Sequence, residues 1–436
     1  MVNTERGIAR IARGLTAALW CTATLALAQQ DAAQQGTTTQ GATTQGPTTQ
    51  GATTQGAGRP PAAAPGGNPH AGHGKPQLAT GAAFAPDGSL WVALVDHGQL
   101  YLQQRGSDRV WRERRAIDVG GETVATNGDN RPKLAFGKQG QVVLSYTRPL
   151  SKPYTGEIRM LRSDDGGASF SAPFTVHQDR QVITHRFESV IFDARGDLYT
   201  FWIDKRDAER VWAANGGDVS SYEGAAIYYN VSKDGGQSFG DDTRLADYSC
   251  ECCRIALAAE PKQGVSALWR HVFPGSVRDH AFARIGTAQS VALQRASQDG
   301  WVLKACPHHG PGLARDTTGT YHAVWFGERD GRQRARYARL AKDGKPQGQV
   351  RELPDAQADH ADVAVAGKHV VIVWRSYDGE QTHLRAWLSA DGGRHFRLRE
   401  LAASPLENDH PRLVASGNRI AVVWRTENEI HVEDLR

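Results

Sequence analysis

The sequence has little net charge and few long hydrophobic runs, and each shortage excludes a class of protein. Lys plus Arg number 51 against 47 Asp plus Glu, which leaves a net charge of +4 over 436 residues. Without a dense Lys/Arg stripe, a nucleic-acid binder that works by neutralising phosphates is excluded. The one long apolar run lies near the N-terminus, so an integral membrane protein is excluded as well.

The residues that are abundant favour short strands and turns. Glycine occurs 47 times and tryptophan 11 times, and hydrophobic residues make up 39% of the chain. This composition is typical of a globular protein built from many strands and tight turns rather than long helices. The sequence therefore predicts an all-β fold.

Three regions follow from the composition along the chain. Residues 1–28 have arginines, then an apolar stretch over 15–27, then Ala26-Leu27-Ala28, which predicts a cleaved signal peptide. Residues 29–78 are rich in Gln, Thr, Gly and Pro and lack large apolar side chains, which predicts a disordered linker. Residues 79–436 form the folded domain. We expect the protein to be exported, either to a periplasm or to the medium.

A repeat of about fifty residues governs the folded domain. A short apolar strand, a glycine-containing turn and a second strand that usually ends in an aromatic residue recur seven times, at spacings of 50 to 68 residues. Such a period predicts a β-propeller with one four-stranded blade per repeat, seven-bladed, with six blades as the alternative. The chain ends after three strands of the seventh unit, so we expect a strand near residues 75–80 to complete that blade.

A second motif recurs between the third and fourth strands of the units. Residues 163–170, 232–239 and 389–396 each fit the pattern Ser-x-Asp-x-Gly-x-x-aromatic, and residues 341–344 carry a degenerate form. In this turn the aspartate accepts backbone amides and glycine adopts positive φ.

These motifs resemble the Asp boxes of the sialidase superfamily over residues 79–436. The resemblance implies a propeller with a ligand site on its axis, but it does not by itself imply sialidase activity, because Asp boxes lie away from that site. Seven units also differ from the six blades typical of sialidases. The chain is further similar to exported bacterial Asp-box proteins that carry Cys-x-Cys-Cys and Cys-Pro-His-x-Gly-Pro.

Polar residues cluster at one rim of the expected propeller, where each innermost strand begins and each second strand ends. If the chain acts like a sialidase, the resemblance implies an arginine triad, a tyrosine nucleophile and a glutamate that activates it. The candidates for these roles are Arg131, Arg186, Arg254, Tyr377 and Glu188. None of them lies in a motif specific to that family, and Arg131 in Asn-Arg-Pro only loosely matches the family's first arginine motif.

The cysteines are the most unusual feature of this rim. Removal of the leader leaves four, and the two segments that carry them directly precede the innermost strands of neighbouring units, so the fold should bring them together. In an exported protein they could form disulfides. Alternatively, thiolates and imidazoles could hold Cu or Zn, or the thiols could be redox-active. The candidate metal ligands are Cys250, Cys252, Cys253, Cys306, His308, His309, His360 and His410.

The sequence thus predicts a binding protein that takes a small-molecule, glycan or soft-metal ligand, preferably copper, at its axial site. The alternative is a glycoside hydrolase of the exo-α-sialidase type. A protein partner on one face of the propeller is a third possibility, because propeller faces commonly serve that role.

Overall fold

Seven antiparallel sheets form the part of the chain that the computed structural model describes, residues 78–288 and 290–436. The strands of the first four blades are β1 (Thr80–Phe84), β2 (Leu90–Asp96), β3 (Gln99–Arg105) and β4 (Arg115–Ala116); β5 (Lys133–Phe136), β6 (Val142–Pro149), β7 (Gly156–Ser163) and β8 (Phe174–Thr175); β9 (His185–Phe192), β10 (Leu198–Asp204), β11 (Ala225–Ser232) and β12 (Thr243–Ser249); β13 (Ala256–Ala259), β14 (Val265–Arg270), β15 (His280–Ile285) and β16 (Val291–Arg295).

The last three blades follow in the same order. Their strands are β17 (Gly312–Arg315), β18 (Tyr321–Arg329), β19 (Arg332–Leu340) and β20 (Pro346–Glu352); β21 (Asp359–Ala366), β22 (His369–Tyr377), β23 (Thr382–Ser389) and β24 (Arg397–Ser404); β25 (Arg412–Ser416), β26 (Arg419–Arg425) and β27 (Ile430–Asp434). Within each blade every strand pairs with the next one along the sequence. The innermost strands of neighbouring blades pack around the axis. The predicted seven-bladed propeller is confirmed.

The predicted signal peptide and nearly all of the predicted linker lie outside the described residues. No helix in the described part of the chain is long and apolar enough to cross a membrane. The single α-helix there, α1 (Arg206–Ala214), is inserted between the second and third strands of blade 3.

Blade 7 differs from the expectation, because it has three strands in the described part of the chain. Thr80, which we expected at the end of a strand completing this blade, instead begins β1 of blade 1. Contacts between the two blades join them: Arg419 Nη1 donates to the Gly88 carbonyl at 2.6 Å, and Arg425 Nη1 donates to the Val95 carbonyl at 2.9 Å. A shared apolar cluster from β2, β25 and β26 fills the space between them.

The Asp boxes are local turns at the end of the propeller opposite the mouth. In the first one, Ser163 Oγ donates to Asp165 at 2.7 Å and accepts the Gly167 amide at 2.8 Å, while Asp165 accepts the Ser169 amide at 2.9 Å. Gly167 has φ of 89°, which a side chain would strain. The boxes that begin at Ser232 and Ser389 repeat these bonds.

Candidate functional site

The mouth of the propeller is the rim where the innermost strands begin and the second strands end. Arg254, which lies just before β13 of blade 4, is at its centre. The guanidinium reaches across the axis: Nη1 lies 3.3 Å from Asp129, Nε donates to the Pro311 carbonyl and Nη2 to the Ala361 carbonyl, both at 2.6 Å. One side chain therefore ties together segments that precede or begin blades 2, 4, 5 and 6.

The arginines that the resemblance placed in a triad have different environments. Arg131 is 2% exposed and forms an ion pair with Asp409 at 2.9 Å, and Arg254 is bound as described above. Both guanidinium groups are thus engaged by carboxylates and carbonyls of the chain itself. Arg186, by contrast, is partly exposed at the mouth and faces the ring of Phe187 at 5.0 Å.

Glu188 and Tyr377, the other two residues of that expectation, lie on blades 3 and 6. Glu188 is buried and accepts the Thr147 hydroxyl at 2.9 Å; burial raises its pKa, and the same burial lowers the pKa of neighbouring Lys133 to about 8. The Tyr377 side chain is 55% exposed, and its hydroxyl donates to the Gly379 carbonyl at 2.7 Å. The structure therefore does not bring the proposed nucleophile and its activator together.

A groove of about 1000 Å³ opens beside the axis, between blades 1, 2, 3 and 7. Its walls come from the turn after β2, the loop after β6, the turn after β26 and the entrances to blades 1, 2, 3 and 7. Among its lining residues are Leu78, Lys152, Tyr154, Arg186, Glu407 and Arg425. The groove is large enough for a drug-sized ligand.

The four cysteines meet on the other side of Arg186, as their register predicted. Cys250 lies at the centre: its sulfur is 3.5 Å from that of Cys253, 3.7 Å from that of Cys306 and 4.0 Å from that of Cys252. All four are free thiols, and these separations exceed the roughly 2.05 Å of a disulfide. The expected disulfides are therefore not formed. Cys252 and Cys306 are partly exposed toward the mouth.

The backbone around the cysteines is strained. Tyr248, two residues before Cys250, has φ of 60°, and His308, two residues after Cys306, has φ of 57°. Residues with side chains rarely adopt this conformation, and where they do the surrounding structure enforces it, often at functional sites. Gly224 fits closely beneath the first segment, since a Cβ there would lie 2.2 Å from the Ser249 carbonyl oxygen.

The histidines of the predicted metal site form a separate group. The rings of His309, His360 and His410 stack from blade to blade, with centroids 4.4 and 3.4 Å apart. Burial lowers the pKa of His309 and of His410 well below the usual range, so both are neutral. His308 contributes its carbonyl to His360 Nε2 at 3.2 Å.

Only cysteines form a compact ligand set in the described part of the chain. The one group of three or more His, Cys, Asp or Glu side chains there with ligand atoms within 4.8 Å of one another is Cys250, Cys252 and Cys253. Cys306 joins this group through Cys250. Seven of the eight candidate ligands of the sequence prediction thus divide into a thiol cluster, consisting of the four cysteines, and the histidine stack of His309, His360 and His410, while the eighth, His308, contributes its backbone carbonyl to His360.

Arg270, at the end of β14, is a residue that the sequence places at the rim but to which the sequence prediction assigned no role. Its backbone carbonyl accepts the Cys250 amide at 3.0 Å, and its Nη2 donates to the carbonyl of His309, three residues after Cys306, at 3.0 Å. It therefore connects both cysteine segments. In the sequence it is one of several arginines that follow a strand-ending tryptophan, and nothing local distinguishes it from Arg375 or Arg425.

Comparison with solved structures identifies the fold. The chain is similar to an ulvan lyase, described as a new family of polysaccharide lyase and solved with a GlcA–Rha3S ligand, at 12% identity and a TM-score of 0.51 over 81% of this chain and 90% of that one. It is also similar to polysaccharide lyase Uly1, at 8% identity and 0.50 over 85% and 91%. The shared fold is a seven-bladed β-propeller.

A third similar structure is a leech intramolecular trans-sialidase, at 8% identity and a TM-score of 0.45 over 79% of this chain and 82% of that one. No protein-family model matches the chain, and no curated protein matches it by sequence. Identities this low establish the shared architecture, whereas function has to be argued from the site itself.

Proposed function

We propose that this protein is an exported propeller that binds a soft metal ion, Cu(I) or Zn(II), through Cys250, Cys252, Cys253 and Cys306. The observation that carries the proposal is the spacing of the sulfur atoms. A tetrahedral ion with metal–sulfur bonds of about 2.3 Å holds neighbouring sulfurs about 3.8 Å apart. The three distances from Cys250, 3.5 to 4.0 Å, bracket this value.

The chemistry and the access of the thiol cluster agree with this reading. Thiolates are the ligands that Cu(I) and Zn(II) prefer. Two of the four sulfurs belong to side chains that are partly exposed at the mouth, so an ion can reach them, while the buried Cys250 and Cys253 provide an enclosed base. Ligands drawn from the entrances of blades 4 and 5 would make the bound ion a bridge between the two blades.

The test is metal binding by the full exported chain, reduced and kept free of oxygen. Titration with Co(II), Zn(II) or Cu(I) should give one bound ion per chain. The Co(II) complex should show thiolate-to-cobalt charge-transfer absorption. In the metal-loaded protein, the four thiols should react with a thiol reagent only after a chelator has removed the ion. Cys306→Ser should weaken binding strongly. His360→Gln serves as the matched control, because the histidine stack lies outside the ligand set, and its stoichiometry should equal that of the wild type. Binding of no ion by the reduced protein would contradict the proposal.

A second candidate function is the binding of a carbohydrate or similar small molecule in the groove. Its support is the size of the groove and the availability of Arg186, together with the two polysaccharide lyases among the similar structures. An array of acidic and neutral polysaccharides, with sialosides included, would test it. We expect Lys152→Glu to weaken such binding. Loss of turnover of a sialoside on Tyr377→Phe would instead favour the glycosidase alternative.

A further inference from the structure

The central channel of the propeller contains a second cavity, which shares no described lining residue with the groove. Its volume is about 230 Å³, and all seven innermost strands contribute to its walls. The charged side chains of this lining are four cations and two carboxylates: Arg131, Lys133, Arg254 and Arg412, with Asp129 and Asp362. A concavity lined mainly by groups of one sign attracts ions of the opposite sign.

Two of the four cations are already neutralised. Arg131 pairs with Asp409 at 2.9 Å, and Arg254 pairs with Asp129 at 3.3 Å. Asp362 is then the one carboxylate of the described lining that remains for both Lys133 and Arg412. The channel therefore carries one positive charge that no lining carboxylate balances.

Arg412, the first residue of β25, lies near a carboxylate but does not bind it. Its Nε is 3.7 Å from Asp362 Oδ2, beyond hydrogen-bond distance. Backbone amides occupy both oxygens of that carboxylate, the Leu413 amide at 3.0 Å and the Val363 amide at 3.1 Å. The guanidinium of Arg412 donates no hydrogen bond to a described residue, and its Nη1 is enclosed. An enclosed N–H without an acceptor calls for a bound water molecule or ion.

Lys133, the first residue of β5, is held by carbonyls alone. Its Nζ donates to the carbonyls of Asp129 at 3.1 Å and of Arg131 at 2.6 Å, which leaves one of its three N–H groups without an acceptor in the described part of the chain. No ion pair joins it to Glu188, whose carboxylate accepts the Thr147 hydroxyl instead. Burial lowers the pKa of Lys133 to about 8, so the ammonium keeps its charge at neutral pH.

The two cations lie on either side of the innermost strand of blade 1. β1 packs against β5 on one side and against β25 on the other. The residues that β1 contributes to the cavity are Gly81 and Ala82. Because both are small, this strand leaves space in the channel between Lys133 and Arg412.

We propose that the central channel binds one small monovalent inorganic anion, such as chloride, between Lys133 and Arg412. The charge of such an ion equals the unbalanced charge of the channel. A guanidinium and an ammonium both donate charge-assisted hydrogen bonds to anions. Neither residue belongs to the arginine set that the resemblance to sialidases implies, and the proposal does not depend on the metal function. The ion would connect blade 7 to blade 2 across blade 1.

The experiment follows the NMR line of chloride in solutions of the full exported chain. Chloride that exchanges with a protein site relaxes faster and gives a broader line, and excess nitrate should displace it. The broadening that nitrate displaces should be lost in Lys133→Met and in Arg412→Met. Lys138→Met and Arg397→Met remove the same charges from exposed positions, so these matched controls should keep it.

Stability gives a second readout. An anion that binds only the folded state stabilises it by mass action, so the urea midpoint of the wild type should rise in sodium chloride relative to sodium gluconate at equal ionic strength. The two control variants should show the same rise as the wild type. Lys133→Met and Arg412→Met should lose it.

The outcomes decide the proposal whatever becomes of the metal function, because a chelator is present in every sample. A wild type without displaceable broadening, as a channel filled with water alone would give, overturns it. Broadening that persists in both Lys133→Met and Arg412→Met also overturns it, because the anion would then bind elsewhere. If one of these variants does not fold, the other decides, since the two residues lie on different blades.

Discussion

The two sides of the propeller mouth hold buried arginines that differ in their partners: carboxylates on one side and carbonyls on the other. On the axis, Arg131 and Arg254 are enclosed by Asp409 and Asp129, so their charges are balanced within the chain. At the thiol cluster, Arg270 is just as buried, but its side-chain hydrogen bonds to the described residues go to carbonyls, and its guanidinium faces the Trp301 ring. On the axial side both guanidinium groups are therefore paired with carboxylates of the chain. The thiol side has no such ion pair at Arg270 among the described residues, and it carries the proposed metal ligands instead.

The largest loss of unfolding free energy should come from breaking the ion pair between Arg254 and Asp129 on the axial side. Arg254→Met leaves Asp129 buried without its main partner, and removing one member of a buried ion pair costs about 3–5 kcal/mol of unfolding free energy. Urea denaturation of the metal-free protein would measure it. Arg254→Met combined with Asp129→Asn should recover part of the loss. Equal losses in the single and double variants would show that Arg254 acts through its packing and carbonyl bonds instead.

On the thiol side, the unfolding free energy should depend on bound metal rather than on an internal ion pair. An ion that binds only the folded state stabilises it by about 2.7 kcal/mol when present at 100 times its Kd. Denaturation with and without a chelator should therefore differ by that amount in the wild type. The difference should vanish in Cys306→Ser, and a chelator effect of the same size in this variant would contradict the comparison.

The histidine stack should make stability fall as the pH falls from about 6.5. Burial first, then the charge of His360, lowers the pKa of His309 and His410 in the folded state, whereas in the unfolded chain they ionise near 6.5. The unfolded chain then binds more protons below that pH. Each group makes the unfolding free energy fall by at most about 1.4 kcal/mol per pH unit. This dependence ends only at a pH low enough for the group to be protonated in the folded state too.

Unfolding free energies at several values between pH 7 and pH 5 would test this slope. His309→Gln should flatten it, because one of the two buried imidazoles is gone. The exposed His97, changed to Gln, is the control and should leave the slope as it is. A wild-type stability that stays constant over this interval would refute the prediction.

The smallest effect should come from the Asp boxes, far from both sides of the mouth. Ser163→Ala removes a buried hydroxyl that accepts the Gly167 amide, which should cost about 1 kcal/mol of unfolding free energy. Metal affinity should be unchanged. Ser238→Ala, in an exposed part of another box, should cost less, and a change in metal affinity in either variant would mean that the boxes act on the mouth.

Much of the architecture could be predicted because it is encoded locally or periodically. The fifty-residue repeat sets seven blades, since each strand pair can bury its apolar face only against the next. The Asp boxes are turns of eight residues that depend on their own side chains. The meeting of Cys250, Cys252 and Cys253 with Cys306 also followed from register, because both segments precede innermost strands of neighbouring blades.

Only the tertiary structure decided which charges are balanced. Arg131, Arg254 and Arg270 look alike in the sequence, since each lies at the end or the entrance of a strand, and their partners include residues 39 to 278 positions away along the chain. The same is true of the ligands: register placed four cysteines and four histidines on one rim, but side-chain packing separated the thiol cluster from the histidine stack. Repeats specify where a residue lies around the axis, whereas the electrostatic state of its side chain depends on which distant groups the closed ring brings within a few ångströms.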